Sequence, residues 1–410
     1  MKPLRIVLIL FLTAIMWLLL TQFFFCSRYN FISSAPFTGS FIYNPYDSLD
    51  AGKWIKGNFH AHSNAWKGIT YGHGTNENVH QAYEDQKYAV HCVSNYQKLD
   101  VPSVKNKSFI SAYEHGYNLT KTHQLVLGGN QVCWLDYFFP QTLHNKQDIL
   151  NRLATDRNAV IVLSHPAVRK GYMPEDILYL SNYHCMEVLS PMGISSMQWD
   201  AALSVGKPVF LLGNDDMHNV FKKHHLGRMC TLVNVPVVDK EHVLRALKTG
   251  KSYGVIFGDS QNRHALPALQ RLALQTDTIN LEMSRPAKLI TFTGQQGRLL
   301  ASFSHTAKAK YKIKKEDHYA RATVEYENGT RLFFNPVFYT SSHSLYHTPV
   351  PVRLNLAQTL FFRLVGFFVA AAYLKWAWMF IRAKKFSRKR PVLSRRLVLE
   401  SSLLFDSVKE

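Results

Sequence analysis

Five short groups between residues 60 and 218 carry side chains that bind metal ions: His60-Ala61-His62, Glu114-His115, His123, His165, and Asp215-Asp216-Met217-His218. Neutral imidazole together with carboxylate suits zinc, manganese or iron, and two or three such ions build a hydrolytic centre. The local spacing supports that chemistry. His60 and His62 alternate along an extended chain, so both side chains share one face and one ion takes both. Glu114 closes an apolar run, where its carboxylate can bridge two ions. His123 heads Gln124-Leu125-Val126-Leu127-Gly128. His165 ends Val160–Leu163 and is followed by Pro166, which stops the strand. Asp216 and His218 follow Phe210-Leu211-Leu212-Gly213. Each group alone has a bland explanation as a capped strand end or a satisfied core histidine. Five in one order point to a site.

Positioning such groups requires strands that end at a common place. Residues 50–260 alternate short apolar runs with helix-like stretches. Residues 158–164 and 208–213 are expected as buried strands, and 175–181, 198–205 and 240–249 as helices. That alternation indicates an α/β domain with a parallel sheet or barrel. In such barrels the catalytic groups sit at the C-terminal strand ends, where the metal-type residues fall. Residues 261–350 are different. Strands are expected at 266–274, 278–284, 288–293 and 320–327, with a hairpin turn at Glu327-Asn328-Gly329-Thr330. This is the pattern of a small β-sandwich following the barrel.

The order of the motifs resembles the PHP family, named for polymerase and histidinol phosphatase. The matching stretches are Gly57-Asn-Phe-His-Ala-His-Ser63, Tyr113-Glu-His-Gly116, His123-Gln-Leu-Val126, Leu163-Ser-His-Pro166 and Gly213-Asn-Asp-Asp-Met-His218. Val243–Tyr253 also looks like the closing segment of such domains. The resemblance spans roughly residues 55–255. It implies a distorted (β/α)7 barrel. It further implies one ion held by His60, His62, Glu114 and Asp216, and a second held by Glu114, His123 and His165. A third ion in the family takes a histidine after the first motif, one in a T-D-H motif, and the last histidine. Here His73 and His218 match the outer two. Ser94-Asn95-Tyr96 stands where T-D-H is expected, so the middle ligand is missing and two divalent ions (Zn, Mn or Fe) are expected; His91 is the nearest substitute.

Two ions a few ångströms apart lower the pKa of a water toward neutrality and bind the oxygens of a phosphate ester. Asp216 or His218 then passes a proton. Lys67, Arg169 and Lys170 lie on loops just after His62 and His165, placed to grip a phosphate if they are more than solvated loop charges. The expectation is a metal-dependent phosphoesterase. The alternatives are amide or other ester hydrolysis at the same kind of centre, and a non-catalytic PHP-like binding module.

The rest of the chain sets the location. Ile6–Phe25 is a nearly uninterrupted apolar stretch of 20 residues, long enough to cross a bilayer. Its length and the absence of an A-x-A site favour an uncleaved anchor over residues 1–26. A second apolar stretch covers residues 356–381, with Arg363 and Lys375 near its ends and Trp376 and Trp378 suited to the interface. Beyond it, residues 382–410 hold nine Lys or Arg and three Asp or Glu, a net of about +6 within the chain's +20. Such density marks the cytoplasmic side. Both termini are therefore expected in the cytoplasm and the catalytic domain outside it, periplasmic in a bacterium. The expected partners are the lipid bilayer and a phosphate-containing substrate at its surface. No nucleic-acid motif accompanies the positive charge. Five cysteines without C-x-x-C spacing make no disulfide framework. Sequons stand at Asn106, Asn118 and Asn328.

Overall fold

The computed structural model describes residues 2–32, 34–49, 53–100, 107–258, 266–342 and 352–382 of the chain. The tail beyond Arg382 and the sequon at Asn106 lie outside the described residues. Helix α1 (Lys2–Leu20) ends in a π-helical turn, Thr21–Phe25. Then follow β1 (Tyr29–Asn30), β2 (Phe41–Tyr43), β3 (Trp54–Asn58), α2 (Asn76–Asp85) and β4 (Val90–His91). Next come β5 (Ala112–His115), β6 (Gln124–Leu127), α3 (Leu143–Leu153), β7 (Val160–Leu163), α4 (Pro174–Ile177) and β8 (Cys185–Ser190). β9 (Gly193–Ile194), α5 (Ser196–Ser204), β10 (Phe210–Gly213), β11 (Met229–Asn234), α6 (Lys240–Thr249) and β12 (Ser252–Ile256) complete the α/β part. The β-rich part holds β13 (Leu269–Gln275), β14 (Thr278–Thr293), β15 (Leu299–Lys312), β16 (Tyr319–Glu325), β17 (Arg331–Phe334) and β18 (Val337–Thr340). β19 (Arg353–Leu354) leads into α7 (Leu356–Arg382).

The architecture is mixed α/β, but among the described residues no closed barrel forms. Six strands make one sheet in the order β10-β8-β7-β6-β5, with β9 on β8. Eleven make a second, running β13-β14-β16-β17-β12-β11-β3-β4, with β15, β18 and β2 on its branches. The physical reason is strand direction. A (β/α) barrel needs parallel neighbours joined by helices. Only β10–β8, β8–β7 and β3–β4 are parallel, whereas β6 runs against both its neighbours and β3 pairs antiparallel with β11. The sheets meet at one end through single bridges, Ala61 to Met217 and Tyr96 to Glu114. These bridges are the ends that carry the metal-type residues.

The strands expected after residue 260 are present, but in a different assembly. They continue the same sheet as β3, β11 and β12, because β12 pairs with β17 along Tyr253–Ile256. The two strands expected at 278–284 and 288–293 are one strand, β14, with a register shift between Glu282 and Ala287. β15, which the sequence reading left out, is its hairpin partner and an edge. It is largely exposed and rich in lysine, and Lys308 and Lys312 pair with Glu282 and Asp277 across the hairpin at 2.8 and 3.3 Å. Lysine on an edge strand discourages further pairing.

Local signals explain the helices that were anticipated. α6 starts where the Asp239 carboxylate accepts the His242 N–H and ends at Gly250 in the left-handed conformation (φ 74°). α5 covers 196–204 as expected, whereas the helix expected at 175–181 is the single turn of α4. The two apolar helices, Pro3–Phe25 and Leu356–Arg382, are long and apolar enough to cross a membrane, with mean hydropathy 2.4 and 1.7. They touch each other: Thr13 Oγ1 and Tyr373 Oη are 2.8 Å apart, and a side chain at Gly366 would collide with Phe24 and Phe25. Asn118 is buried, with its amide donating to Thr122 O and Asp136 Oδ2, so this sequon is closed to glycosylation.

Candidate metal centre

The strand ends bring seven of the eight expected ligands into one buried cluster. His60 and His62 follow β3, Glu114 is on β5, and His123 precedes β6. His165 follows β7, and Asp216 and His218 follow β10. Four groupings place donor atoms close enough to hold an ion: His60, His62 and Glu114; His60, His165 and Asp216; His62, Asp216 and His218; and Glu114, His123 and His165. Glu114 faces both sides. Its Oε1 lies 2.8 Å from His123 Nδ1 and 3.1 Å from His165 Nε2. Its Oε2 lies 3.4 and 3.3 Å from the Nε2 atoms of His60 and His62.

The first set fits an ion by its spacing. His60 Nε2 and His62 Nε2 are 3.1 Å apart, and Asp216 Oδ1 is 3.2 and 3.3 Å from them. With bonds of about 2.0–2.2 Å, tetrahedral donors stand roughly 3.3–3.6 Å apart. Glu114 Oε2 and Asp216 Oδ1 are buried and accept no hydrogen bond. Two orphaned carboxylate oxygens beside two imidazoles are costly unless a cation completes the group. Backbone strain points the same way: His165 and Asp216 both hold positive φ (30° and 43°). Such conformations cost about 1–3 kcal/mol and persist where the surroundings over-determine them. Gly116 (φ 127°) lets the His123 ring lie against the backbone, since a Cβ there would stand 2.5 Å from His123 Cδ2.

Electrostatics bind the cluster together. Burial by itself would raise Glu114, but the imidazoles, His123 foremost, outweigh it and hold the carboxyl well below its usual range. Asp216 is likewise lowered against its burial by His60, His62, His218 and His165. Burial would lower His60 and His165, yet the carboxylates around them hold both above the usual imidazole range. His218, pressed by burial and by His62, falls to about 4. A ligand imidazole must be neutral, so ion binding displaces the protons that His60 and His165 retain. Metal loading at neutral pH is expected to release protons, and affinity to rise with pH through the neutral range. Calorimetry in buffers of different ionisation enthalpy measures that release. The sign for metal-free stability is the reverse. Imidazoles raised in the fold contribute fully below about pH 6.5, and the contribution is lost as pH climbs through their folded values.

Glu187 on β8 is a residue the sequence reading missed. Both its oxygens lie 3.2 Å from His60 Nδ1, and Oε2 accepts the His165 backbone N–H at 2.9 Å. One carboxylate thus orients two ligand residues, as carboxylates behind metal-bound histidines do. The signal was present: a lone acid in the buried run Cys185–Ser190, the same pattern that revealed Glu114. Glu187→Gln is expected to weaken metal affinity about 10–100-fold with the fold intact, measured by competition with a chelating dye.

Asp215 has a separate structural task. It accepts from the backbone N–H groups of Gly227, Arg228 and Met229 and from Asn58 and Tyr83. His73 does not join the cluster. It is exposed, with its ring against Tyr71 at 5.3 Å and its N–H on His218 O. Tyr96 takes the inner place instead, stacked on His62 at 4.7 Å and edge-on to His123 at 5.5 Å. Lys121 Nζ donates to the Tyr96 hydroxyl at 3.3 Å, a cation the sequence reading also missed. His91 stands apart from the cluster, stacked on Tyr83 and tilted against His80. Lys67, Arg169 and Lys170 are exposed on two tight turns, all with positive φ. No ion pair holds them among the described residues.

No family model matches the chain, and no curated protein matches it. Among solved structures, it is similar to a two-domain protein containing a predicted PHP-like metal-dependent phosphoesterase from Bacteroides vulgatus. The alignment covers 77% of this chain and 96% of that one, at 13% identity and a TM-score of 0.36.

Proposed function

We propose that the chain is a metal-dependent phosphoesterase of the PHP type, with two divalent ions sharing Glu114. One observation carries the reading: each Glu114 oxygen faces its own pair of imidazoles, His60 and His62 on one side and His123 and His165 on the other. The motif order quoted above supports the family. The division into a hydrolase part at 50–260 and a β part at 261–350 belongs to the same proposal. So does a membrane topology with two crossings, cytoplasmic termini and the centre outside.

His60, His62, Glu114 and Asp216 would hold the first ion, and Glu114, His123 and His165 the second. Bound there, a divalent ion supplies Lewis acidity, making a water reactive near neutral pH and neutralising phosphoryl charge. The chain's own residues do the rest. Glu187 fixes the faces that His60 and His165 present. Asp216 orients His218, whose Nδ1 lies 2.8 Å from the Asp216 carbonyl. Its less buried ring is placed to carry a proton to or from the mouth. Tyr96, packed on His62, keeps bulk water off the inner side. Lys67, Arg169 and Lys170 are proposed to draw in the phosphate.

The test uses the full chain purified in detergent. Bound metal is measured by elemental analysis, and p-nitrophenyl phosphate and bis(p-nitrophenyl) phosphate are assayed with Mn²⁺ or Zn²⁺. Close to two ions per chain and metal-dependent release of p-nitrophenol are expected. Less than one ion together with no turnover would overturn the reading.

A further inference from the structure

The end of the first apolar helix and the metal centre are fastened to the same segment of chain. Gln22, in the last turn of that helix, is almost fully buried although its neighbours are apolar. Its amide donates to Phe139 O and Pro140 O at 3.1 and 3.0 Å and accepts the Phe139 N–H at 2.9 Å. Its carbonyl accepts from Asn145 at 2.9 Å. Just upstream, residues 135–138 run along the segment that follows Glu114. Leu135 O lies 2.8 Å from His115 Nε2, Asp136 accepts the Tyr117 N–H at 2.7 Å, and Phe138 O accepts the Leu119 N–H at 3.0 Å. His115 directly follows the shared ligand Glu114. The helix therefore leaves the domain at the end where the ligand strands stop. From Phe139 to Trp134 the chain spans at most about 18 Å.

That end is apolar on its outer surface. Trp66, Ile69, Tyr71, Tyr117, Leu119 and Trp134 are each at least 40% exposed. They are tied to the site rather than scattered. Trp66 touches Trp134 at 6.0 Å and donates its indole N–H to Tyr96 O, and Tyr71 stacks on His218 at 5.5 Å. An exposed apolar rim around a polar centre marks an interaction surface, and tryptophan and tyrosine favour the membrane–water boundary. The helix brings one apolar phase to this rim, the bilayer in which it is embedded.

We propose that the rim rests in the membrane interface and that the substrate is a phosphate ester borne by a membrane lipid, entering the centre from the bilayer. This rests on the phosphoesterase reading and on the helices crossing the membrane. The reaction is hydrolysis. Water oxygen forms a bond to phosphorus, the bond from phosphorus to the lipid oxygen breaks, and a proton from the water ends on that oxygen. The products are a lipid alcohol and phosphate. The rim explains how an ester group at headgroup depth reaches buried ligands without the lipid leaving the membrane.

The experiment uses the full chain in phosphatidylcholine nanodiscs with Mn²⁺. Tryptophan quenching by brominated phosphatidylcholine is compared between the native chain and Trp66→Phe/Trp134→Phe. The quenched signal is expected to fall in the double variant, and an unchanged quenched signal overturns the interfacial rim. In parallel, phosphate release is measured from phosphatidic acid in the disc, from soluble glycerol 3-phosphate and from p-nitrophenyl phosphate. Phosphatidic acid is expected to be preferred over glycerol 3-phosphate, and Leu119→Asp to lower its turnover by roughly tenfold or more. Turnover of p-nitrophenyl phosphate in that variant reports on fold and centre. Hydrolysis of p-nitrophenyl phosphate alone, with phosphatidic acid untouched, overturns the lipid substrate and leaves the phosphoesterase standing. Metal-loaded protein inert on every ester refutes the phosphoesterase itself, and the quenching result still decides the rim.

Discussion

Glu114→Gln is expected to abolish hydrolysis and to empty both metal sites while leaving the protein folded. Glutamine keeps the volume of the side chain, so packing in the buried β5 row is preserved. What is lost is the charge that faces four imidazoles at once, His60, His62, His123 and His165. Among the described carboxylates of the cluster, Glu114 is the one with an oxygen toward each pair. In the proposed two-ion centre each ion would stabilise a phosphoryl transition state by several kcal/mol, so losing both would lower turnover by on the order of 10³-fold or more. Elemental analysis should find less than one ion per chain, and circular dichroism should match the native protein. Removal of His123 alone is the informative contrast, because the set around His60, His62 and Asp216 keeps its donors. Retention of two tightly bound ions in Glu114→Gln would refute the bridging role.

Arg321→Ala is expected to be the most damaging single change outside the centre. Arg321 on β16 makes a two-pronged contact with Asp200 on α5: Nε to Oδ1 at 2.8 Å and Nη2 to Oδ2 at 2.9 Å. Both side chains are nearly buried, the Tyr319 hydroxyl donates to the same carboxylate, and the guanidinium lies over Trp199 at 4.9 Å. Truncating the arginine leaves an uncompensated buried charge, which costs about 3–5 kcal/mol. For a domain of this size that corresponds to a fall in Tm on the order of 10 °C by scanning calorimetry. The pair replacement Asp200→Leu with Arg321→Met removes both charges and should recover most of the loss. A double variant no better than Arg321→Ala would show that the contact acts through shape rather than charge.

The centre was more legible in the sequence than the fold around it. His60, His62, Glu114, His123, His165, Asp216 and His218 could be found because each sits beside an end of a local strand-like run. The position of a strand end is written in a few adjacent residues. The pairing of strands is not. Whether β6 lies parallel or antiparallel to β7 depends on what faces it across the fold, and the same apolar four-residue run satisfies either direction. A barrel was therefore expected where two sheets stand. β15 carried a strand signal as well: Ala301, Phe303, Ala309 and Tyr311 turn inward and alternate with exposed Ser304, Lys308, Lys310 and Lys312, the period of a strand with one solvated face. Tyr96 shows the opposite case. The missing T-D-H ligand was legible, but that the aromatic ring at this position would pack on His62 and His123 required the fold around them.

The two ends of the chain pair in nested order. α1 lies on α7, β1 pairs with β19, and β2 pairs with β18, each early element meeting a late one. Such contacts span about 300 residues or more of the chain, and closing them is slow. During synthesis the first helix emerges while its partner is more than 300 residues from being made. Strand β2 must wait, open, until β18 is made, and the Phe24–Phe25 surface that receives Gly366 until α7 follows. The last helix therefore acts as a clasp on the first. Chains truncated before β18 should leave β2 unpaired and be open to proteolysis near Phe41, whereas chains truncated between β19 and α7 should protect it.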